Sequence, residues 1–131
     1  MPWVEVFVVF VVSHVTGDFL LQTEFQALGK AGGVRRGTGD ARRALGLHAL
    51  TYAACFIPAL IWLSDRLSVL ELIGTLAGII VPHALLDDGL FVSWWMEHVK
   101  HTPAEPGVLT IAVDQSFHFV ALFVLAVVVG V

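Results

Sequence analysis

Four stretches of about 20 mostly apolar residues account for most of this 131-residue chain. They cover about residues 2–22, 44–63, 69–91 and 109–131. About 20 apolar residues is the length that an α-helix needs to cross the ~30 Å hydrocarbon core of a bilayer. Only 14% of the residues are charged, against about 25% in average soluble domains. The sequence therefore predicts an all-α integral membrane protein, a four-helix antiparallel bundle that forms a single domain over residues 1–131.

The basic residues are distributed unevenly among the three connections between these apolar stretches. The first connection holds five of the seven, namely Lys30, Arg35, Arg36, Arg42 and Arg43. Lys100 lies in the third connection, and only Arg66 lies in the second. Because short, positively charged loops stay in the cytoplasm, we predict that the first and third connections are cytoplasmic and that both termini are outside. Five glycines in the first connection predict that most of it is flexible. Trp94 and Trp95 are typical of interfacial anchors.

Each apolar stretch contains a histidine, and three of the four pair it with an aspartate four residues away. The seven residues are His14, Asp18, His48, His83, Asp87, Asp114 and His118. On a helix, a spacing of four places side chains on one face, and Gln22 continues that spacing after His14 and Asp18. An ionisable side chain at the centre of a membrane helix costs about 2.5–3.5 kcal/mol on insertion scales. Some interaction must offset that cost.

In an antiparallel bundle the seven residues fall at matched depth, about one to two turns inside the cytoplasmic helix ends. Neutral imidazole and carboxylate are the ligands of zinc, iron and manganese sites, and ligands four apart on a helix occur in the HExxH motif. We therefore predict one buried site that binds a divalent transition metal, zinc in the first place and iron or manganese as alternatives. The side chains predicted to orient the ligands are Gln22, Asp88 and Gln115.

Two interpretations of the His–Asp pairs need no metal. Buried His–Asp pairs can be interhelical hydrogen bonds, each worth about 0.6 kcal/mol on average. They can also form a proton relay. Three pairs and a fourth histidine at matched depth favour a functional site over simple hydrogen bonds. His98 and His101, in the third connection, are expected to be solvated.

The segments that contain these histidines and aspartates also resemble a known protein family. The segments "HVTGDFLLQTEFQALGK" (14–30), "LGLHAL" (45–50), "HALLD" (83–87) and "DQSFH" (114–118) resemble a family of small bacterial and phage membrane proteins catalogued as domain of unknown function 3307. The likeness covers nearly the whole chain, and it implies the bacterial inner membrane as the location. Members often have a lysine soon after the third-helix aspartate, whereas Leu90 and Phe91 follow here. The resemblance implies no particular activity.

Three functions fit such a site. The first is a metal-dependent hydrolase acting on a lipid or another membrane-proximal ester, in which the metal lowers the pKa of a bound water to about 7. Asp18 or Asp114 would be the general base. The second is a divalent-cation or proton transporter, which the apolar outer halves of the helices disfavour. The third is a small accessory or sensor subunit with a structural metal. Membrane lipid is the expected partner, self-association is left open, and nucleic acid is not expected.

Overall fold

Helices make up all of the regular secondary structure in the residues that the computed structural model describes, which are 2–35 and 38–130. The seven α-helices are α1 (Trp3–Val15), α2 (Glu24–Gly29), α3 (Gly39–Cys55), α4 (Ile57–Leu63), α5 (Val69–Asp87), α6 (Leu90–His98) and α7 (Val108–Val129). A wider π-helical turn, Thr16–Leu20, continues α1 directly. Arg36, one of the basic residues of the first connection, lies outside the described residues. The expected all-helical class is confirmed.

Three helical segments are long and apolar enough to cross a membrane. They are Trp3–Leu20, which joins α1 to the π-helical turn, and the two helices α5 and α7. A fourth span is available only if α3 and α4 are taken together, because the pair is bent by 41° at Phe56. Pro58 accounts for this break, since a proline has no N–H to donate and its ring clashes with the carbonyl four residues earlier. The unbroken helix predicted for this stretch is therefore wrong.

The third apolar stretch also divides in two. Helix α5 begins at a capping box formed by Ser68 and Glu71, passes through Pro82 and ends at Asp87. Gly89 then adopts a left-handed conformation (φ 81°), which glycine reaches without steric cost. The chain changes direction there and starts α6, so the predicted continuation of the helix to residue 91 is wrong.

The first connection is more ordered than its glycines predict. Helix α2 starts at a second capping box, in which Thr23 and Gln26 bond each other's backbone N–H groups. The turn after α2 packs closely on α3, because a Cβ at Gly33 would lie 2.8 Å from the Ala41 carbonyl oxygen. Residues 23–35 of this connection therefore pack against α3 and the end of α5.

The buried interior is divided between an apolar half and a polar half. Helix α7 packs on both α1 and α5, and α5 also packs on α3. The apolar half is formed by Val6, Phe10, Tyr52, Phe56, Ala59, Leu63, Ile79, Leu122 and Ala126. Many large apolar side chains instead face outward, among them Val8, Ile61 and Leu70. Polar groups inside and apolar groups outside is the arrangement expected of helices in lipid.

Candidate metal centre

The end of the first span brings two of the predicted residues to the centre of the bundle. His14 lies in the last turn of α1 and Asp18 in the π-helical turn, where the Leu21 N–H bonds the Thr16 carbonyl five residues earlier. Single π-helical turns inside α-helices are frequent at functional sites. A Cβ at Gly17 would lie 2.9 Å from the Tyr52 ring, so glycine permits this turn to approach α3. Both His14 and Asp18 are buried.

Four ligand atoms from three helical segments converge beside this turn. They are Asp18 Oδ1, His48 Nε2, His83 Nε2 and Asp87 Oδ2. His48 Nε2 lies 2.9 Å from Asp18 Oδ1, 3.1 Å from Asp87 Oδ2 and 2.9 Å from His83 Nε2. His83 Nε2 lies 3.1 Å from Asp87 Oδ2 and 3.7 Å from Asp18 Oδ1. All four residues are at most 5% exposed.

These separations match the edges of a zinc coordination tetrahedron. With metal–ligand bonds of about 2.0–2.1 Å, the ligands of a tetrahedral ion are about 3.3–3.4 Å apart. The five separations given above, 2.9–3.7 Å, bracket that value, and all four atoms lie within 4.8 Å of one another. Two histidines and two aspartates can therefore hold one ion with little movement of their side chains.

A second, adjacent group is formed by Asp87, Asp114 and His118. The His118 ring contacts the Asp114 carbonyl oxygen through Nδ1 at 2.9 Å. Because a carbonyl only accepts hydrogen bonds, Nδ1 carries the proton and Nε2 of the neutral ring carries a lone pair. That nitrogen lies 3.7 Å from Asp87 Oδ1, so two acceptors face each other. The Asp114 side chain is 23% exposed, unlike the rest of the group.

Lys30 is part of this site, although it lies outside the apolar stretches. Its ammonium is 2.8 Å from Asp87 Oδ1 and 3.8 Å from Asp18 Oδ1. Gln22 satisfies two neighbours when its amide oxygen faces Lys30 Nζ at 2.7 Å and His48 Nδ1 at 3.2 Å. A proton on His48 Nδ1 then leaves its Nε2 free as a ligand. The helix has ended before Gln22, so the predicted stacking of Gln22 on the helix face is wrong, but its side chain reaches the cluster from the loop.

His14 lies at the edge of the cluster and is held by hydrogen bonds of its own. Its Nδ1 is 3.0 Å from the Tyr52 hydroxyl, and its Nε2 is 2.8 Å from the Gln115 amide oxygen. The Gln115 amide nitrogen donates to Asp18 Oδ2 at 2.9 Å and to Asp114 Oδ2 at 3.1 Å. Gln115 therefore orients the Asp18 carboxylate from behind, as outer residues do in metal sites. Both ring nitrogens of His14 therefore have hydrogen-bond partners outside the group of four ligand atoms.

Five buried side-chain atoms among the described residues make no hydrogen bond of acceptable geometry. They are Asp18 Oδ1, His83 Nδ1, Asp87 Oδ1, Asp87 Oδ2 and His118 Nε2. A buried polar atom without a partner costs about 1–3 kcal/mol, and more when it is charged. Four of these atoms belong to the two groups of ligand atoms, at the positions where a cation would contact them. The donor set therefore fits a metal ion.

The comparison with protein families assigns the chain to one of them. The family described as protein of unknown function (DUF3307) matches residues 6–131. The chain belongs to this family. The resemblance carried by the histidine and aspartate segments is therefore confirmed. None of the curated proteins and none of the solved structures matches the chain.

Three polar residues named in the sequence analysis lie away from the cluster, and only Asp88 among them was predicted to orient the ligands. Asp88 faces the first connection, where its carboxylate accepts hydrogen bonds from the backbone of Val34 and Arg35 and from the Arg35 side chain. Burial raises the pKa of Asp88, but these hydrogen bonds outweigh it and hold the pKa below its ordinary value. His98 ends α6 and stacks on Trp94. Both His98 and His101 are exposed, as expected.

Two residues of the site were not among those predicted from sequence. From the sequence, Lys30 counts among the basic residues that keep the first connection in the cytoplasm, because a basic residue in a short loop usually has that role. Its inclusion in the segment shared with the family was the available signal. Tyr52 lies one turn after His48 and stacks on the His83 ring, with centroids 3.5 Å apart and planes 6° apart. Its helical spacing from His48 was the only indication.

Proposed function

We propose that the protein is an integral membrane metalloprotein that holds one divalent transition metal ion, zinc in the first place, with iron or manganese as alternatives. The ligands are Asp18, His48, His83 and Asp87. The observation that carries the proposal is the convergence of four buried ligand atoms, of which both carboxylate oxygens, Asp18 Oδ1 and Asp87 Oδ2, make no hydrogen bond of acceptable geometry. Unpaired buried carboxylates are costly, and a dication removes that cost.

The charges of the site support one ion. The three carboxylates of Asp18, Asp87 and Asp114 carry three negative charges, and Lys30 supplies one positive charge within 4 Å of two of them. One dication then brings the site to neutrality. A neutral site is the arrangement that a low-dielectric interior favours.

The apolar outer faces of the helices support a position in a membrane. We propose a four-helix antiparallel bundle whose spans are α1 with its π-helical turn, the bent pair α3–α4, α5 and α7. The basic first connection is cytoplasmic, and both termini are outside. Single cysteines in residues 23–43 and near the C-terminus, introduced in a Cys55→Ala background, test this in intact cells. Labelling of the first connection by a membrane-impermeant maleimide applied from outside would exclude the topology.

For the activity, we propose hydrolysis of a lipid or another ester near the cytoplasmic membrane surface. Its support is the position of Asp114, which is partly exposed and is not one of the four ligands of the ion. With Asp18 acting as a ligand, Asp114 is the better candidate for the general base. Metal-loaded protein in liposomes should release product from ester-labelled lipid, and Asp114→Asn should abolish release while the bound metal is retained. Equal rates for the two proteins would exclude this role.

One observation favours a second candidate, an accessory or sensor subunit with a structural metal. Four protein ligands complete a tetrahedral shell, and closed shells are typical of structural zinc, whereas catalytic zinc keeps an open position. A zinc-loaded protein that hydrolyses no ester but loses its fold on chelation would support this candidate. A transport path is disfavoured, because the apolar residues around Phe10, Phe56 and Leu122 fill the bundle beyond the histidines.

Metal content is the first measurement. Protein purified without added chelator should contain one metal ion per chain by elemental analysis. The His48→Ala and His83→Ala variants should contain much less, and His98→Ala should match the wild type because His98 is exposed and away from the cluster. Wild-type protein that binds no transition metal at any free concentration up to micromolar would exclude the metal proposal. A proton relay through the same residues would then be favoured.

A further inference from the structure

The two groups of ligand atoms share one carboxylate. Asp87 Oδ2 lies 3.1 Å from the Nε2 atoms of both His48 and His83. Its other oxygen, Oδ1, lies 3.7 Å from His118 Nε2 and belongs with Asp114 to the second group. A carboxylate that serves two adjacent groups of ligands is suited to two-metal sites, in which the ions are about 3.5–4 Å apart.

The second group has the features of a cation site. His118 is 2% exposed, and its Nε2 carries a lone pair without a hydrogen-bond partner. Asp87 Oδ1 is likewise buried without a hydrogen bond of acceptable geometry. Two buried acceptors that face each other attract a cation, and a third oxygen is available from Asp114. A positive charge is already beside them, since Lys30 Nζ lies 2.8 Å from Asp87 Oδ1.

The turn that carries Lys30 is held on both sides. On one side, the Gly32 N–H donates to the Asp88 carbonyl at 2.9 Å, and the Asp88 carboxylate binds the backbone N–H groups of Val34 and Arg35. On the other side, a Cβ at Gly29 would lie 3.0 Å from the Ala44 Cβ atom. The ammonium therefore has a defined place in the site, and Asp88 acts on the site by positioning it.

We propose that the Lys30 ammonium takes the place of a second metal ion. The chain contains a second divalent-cation site, formed by Asp87, Asp114 and His118, which the ammonium keeps closed. Like charges a few ångströms apart in a low-dielectric site repel strongly, so the second group accepts a dication only when the lysine charge is removed. The inference depends on the proposed metal function, because it concerns the neighbour of the same ion.

The test is the zinc stoichiometry of Lys30 variants, measured by elemental analysis after dialysis against buffers of fixed free zinc. Lys30→Met is the main variant, since methionine lacks the charge and is one atom shorter, which frees the position of the ammonium. Lys30→Gln is a second neutral variant. Lys30→Arg is the matched control that keeps the charge. Lys30→Met combined with His118→Gln removes a ligand of the second site.

We expect one zinc ion in the wild type and in Lys30→Arg, two in Lys30→Met and Lys30→Gln, and one in the double variant. The free zinc that half-saturates the second site should fall by about 100-fold or more when the charge is removed, the scale of a close like-charge repulsion. With manganese as the probe, Lys30→Met should show the electron paramagnetic resonance spectrum of two exchange-coupled ions. The wild type should show the spectrum of an isolated ion.

Three results would overturn the inference. The first is one ion in the wild type and still one in the folded neutral variants, which leaves the proposed function intact. The second is a wild type that takes up two ions at the free zinc that saturates the first, a result that needs no variant to fold. The third is a wild type without any ion, which overturns the proposed function as well. The three results are distinguished by the stoichiometries alone.

Discussion

Replacing His83 with alanine tests whether the bound ion stabilises the fold. His83 is 2% exposed, and its ring stacks on Tyr52, so the substitution removes packing as well as the proposed ligand. The two effects separate when each protein is melted with and without metal. The packing loss is present in both melts, and only the ligand loss changes the difference between them. Metal binding contributes to folding free energy because the unfolded chain has no preformed site.

The expected magnitude follows from mass action. Free zinc at 100 times the dissociation constant stabilises the folded state by about 2.7 kcal/mol. Loss of an outer residue of a metal site weakens binding by about 10–100-fold, so loss of a ligand should reach at least about 100-fold. At the same free zinc, His83→Ala would then retain only about 0.4 kcal/mol. For a chain of this size, about 1 kcal/mol corresponds to about 3–5 °C in Tm.

The assay is thermal unfolding in detergent, followed by circular dichroism, in buffers of fixed free zinc and in chelator. The wild type should melt about 8–13 °C lower in chelator, and His83→Ala only about 1–2 °C lower. His98→Ala is the matched control, because His98 is exposed at the end of α6, and it should keep the full difference. Equal chelator effects in the wild type and in His83→Ala would refute the assignment of His83 as a ligand.

The remaining predictions concern the surroundings of the site. Gly17→Ala should lower the unfolding free energy by about 1–3 kcal/mol, because the added Cβ would lie 2.9 Å from the Tyr52 ring, which is stacked on His83. An unchanged denaturant midpoint would contradict the close approach of the π-helical turn to α3. Tyr52→Phe should cost about 1 kcal/mol, since it removes the hydroxyl beside His14 Nδ1 and keeps the stacking; a loss as large as that of Tyr52→Ala would argue against this. Asp88→Asn should cost about 1–3 kcal/mol at neutral pH. The folded pKa of Asp88 is lowered, so its contribution to the unfolding free energy is present above the ordinary carboxyl pKa of about 4 and is lost as pH falls below it. The difference in Tm between Asp88→Asn and the wild type should therefore shrink towards pH 3. A difference that stays constant with pH would contradict the role of the Asp88 charge.

Much of the site could be predicted from the sequence because it depends on local spacing. The length of an apolar stretch and a repeat of four residues are properties of single helices, and His83 and Asp87 lie on one face whatever packs against them. Matched depth then follows from the alternation of helix direction. For these reasons the all-helical class and the partners His48, His83, Asp18 and Asp87 were accessible without a structure. The break at Phe56 was accessible too, since Pro58 is visible in the sequence.

Only the tertiary structure decided what fills the space between the helices. Lys30 lies outside the helical periodicity, and Gln22 lies beyond the end of the first helix although it continues the spacing of four. Their contacts with Asp87 and His48 depend on how the first connection folds back over the bundle. Asp88 lies one residue after Asp87, yet the end of α5 turns it towards that connection. Spacing along one helix carries no information on such contacts between distant segments. The packed bundle therefore determines how the polar residues are grouped. It forms one group of four potential ligand atoms and a second group with Asp114 and His118, and it places Lys30 beside Asp87.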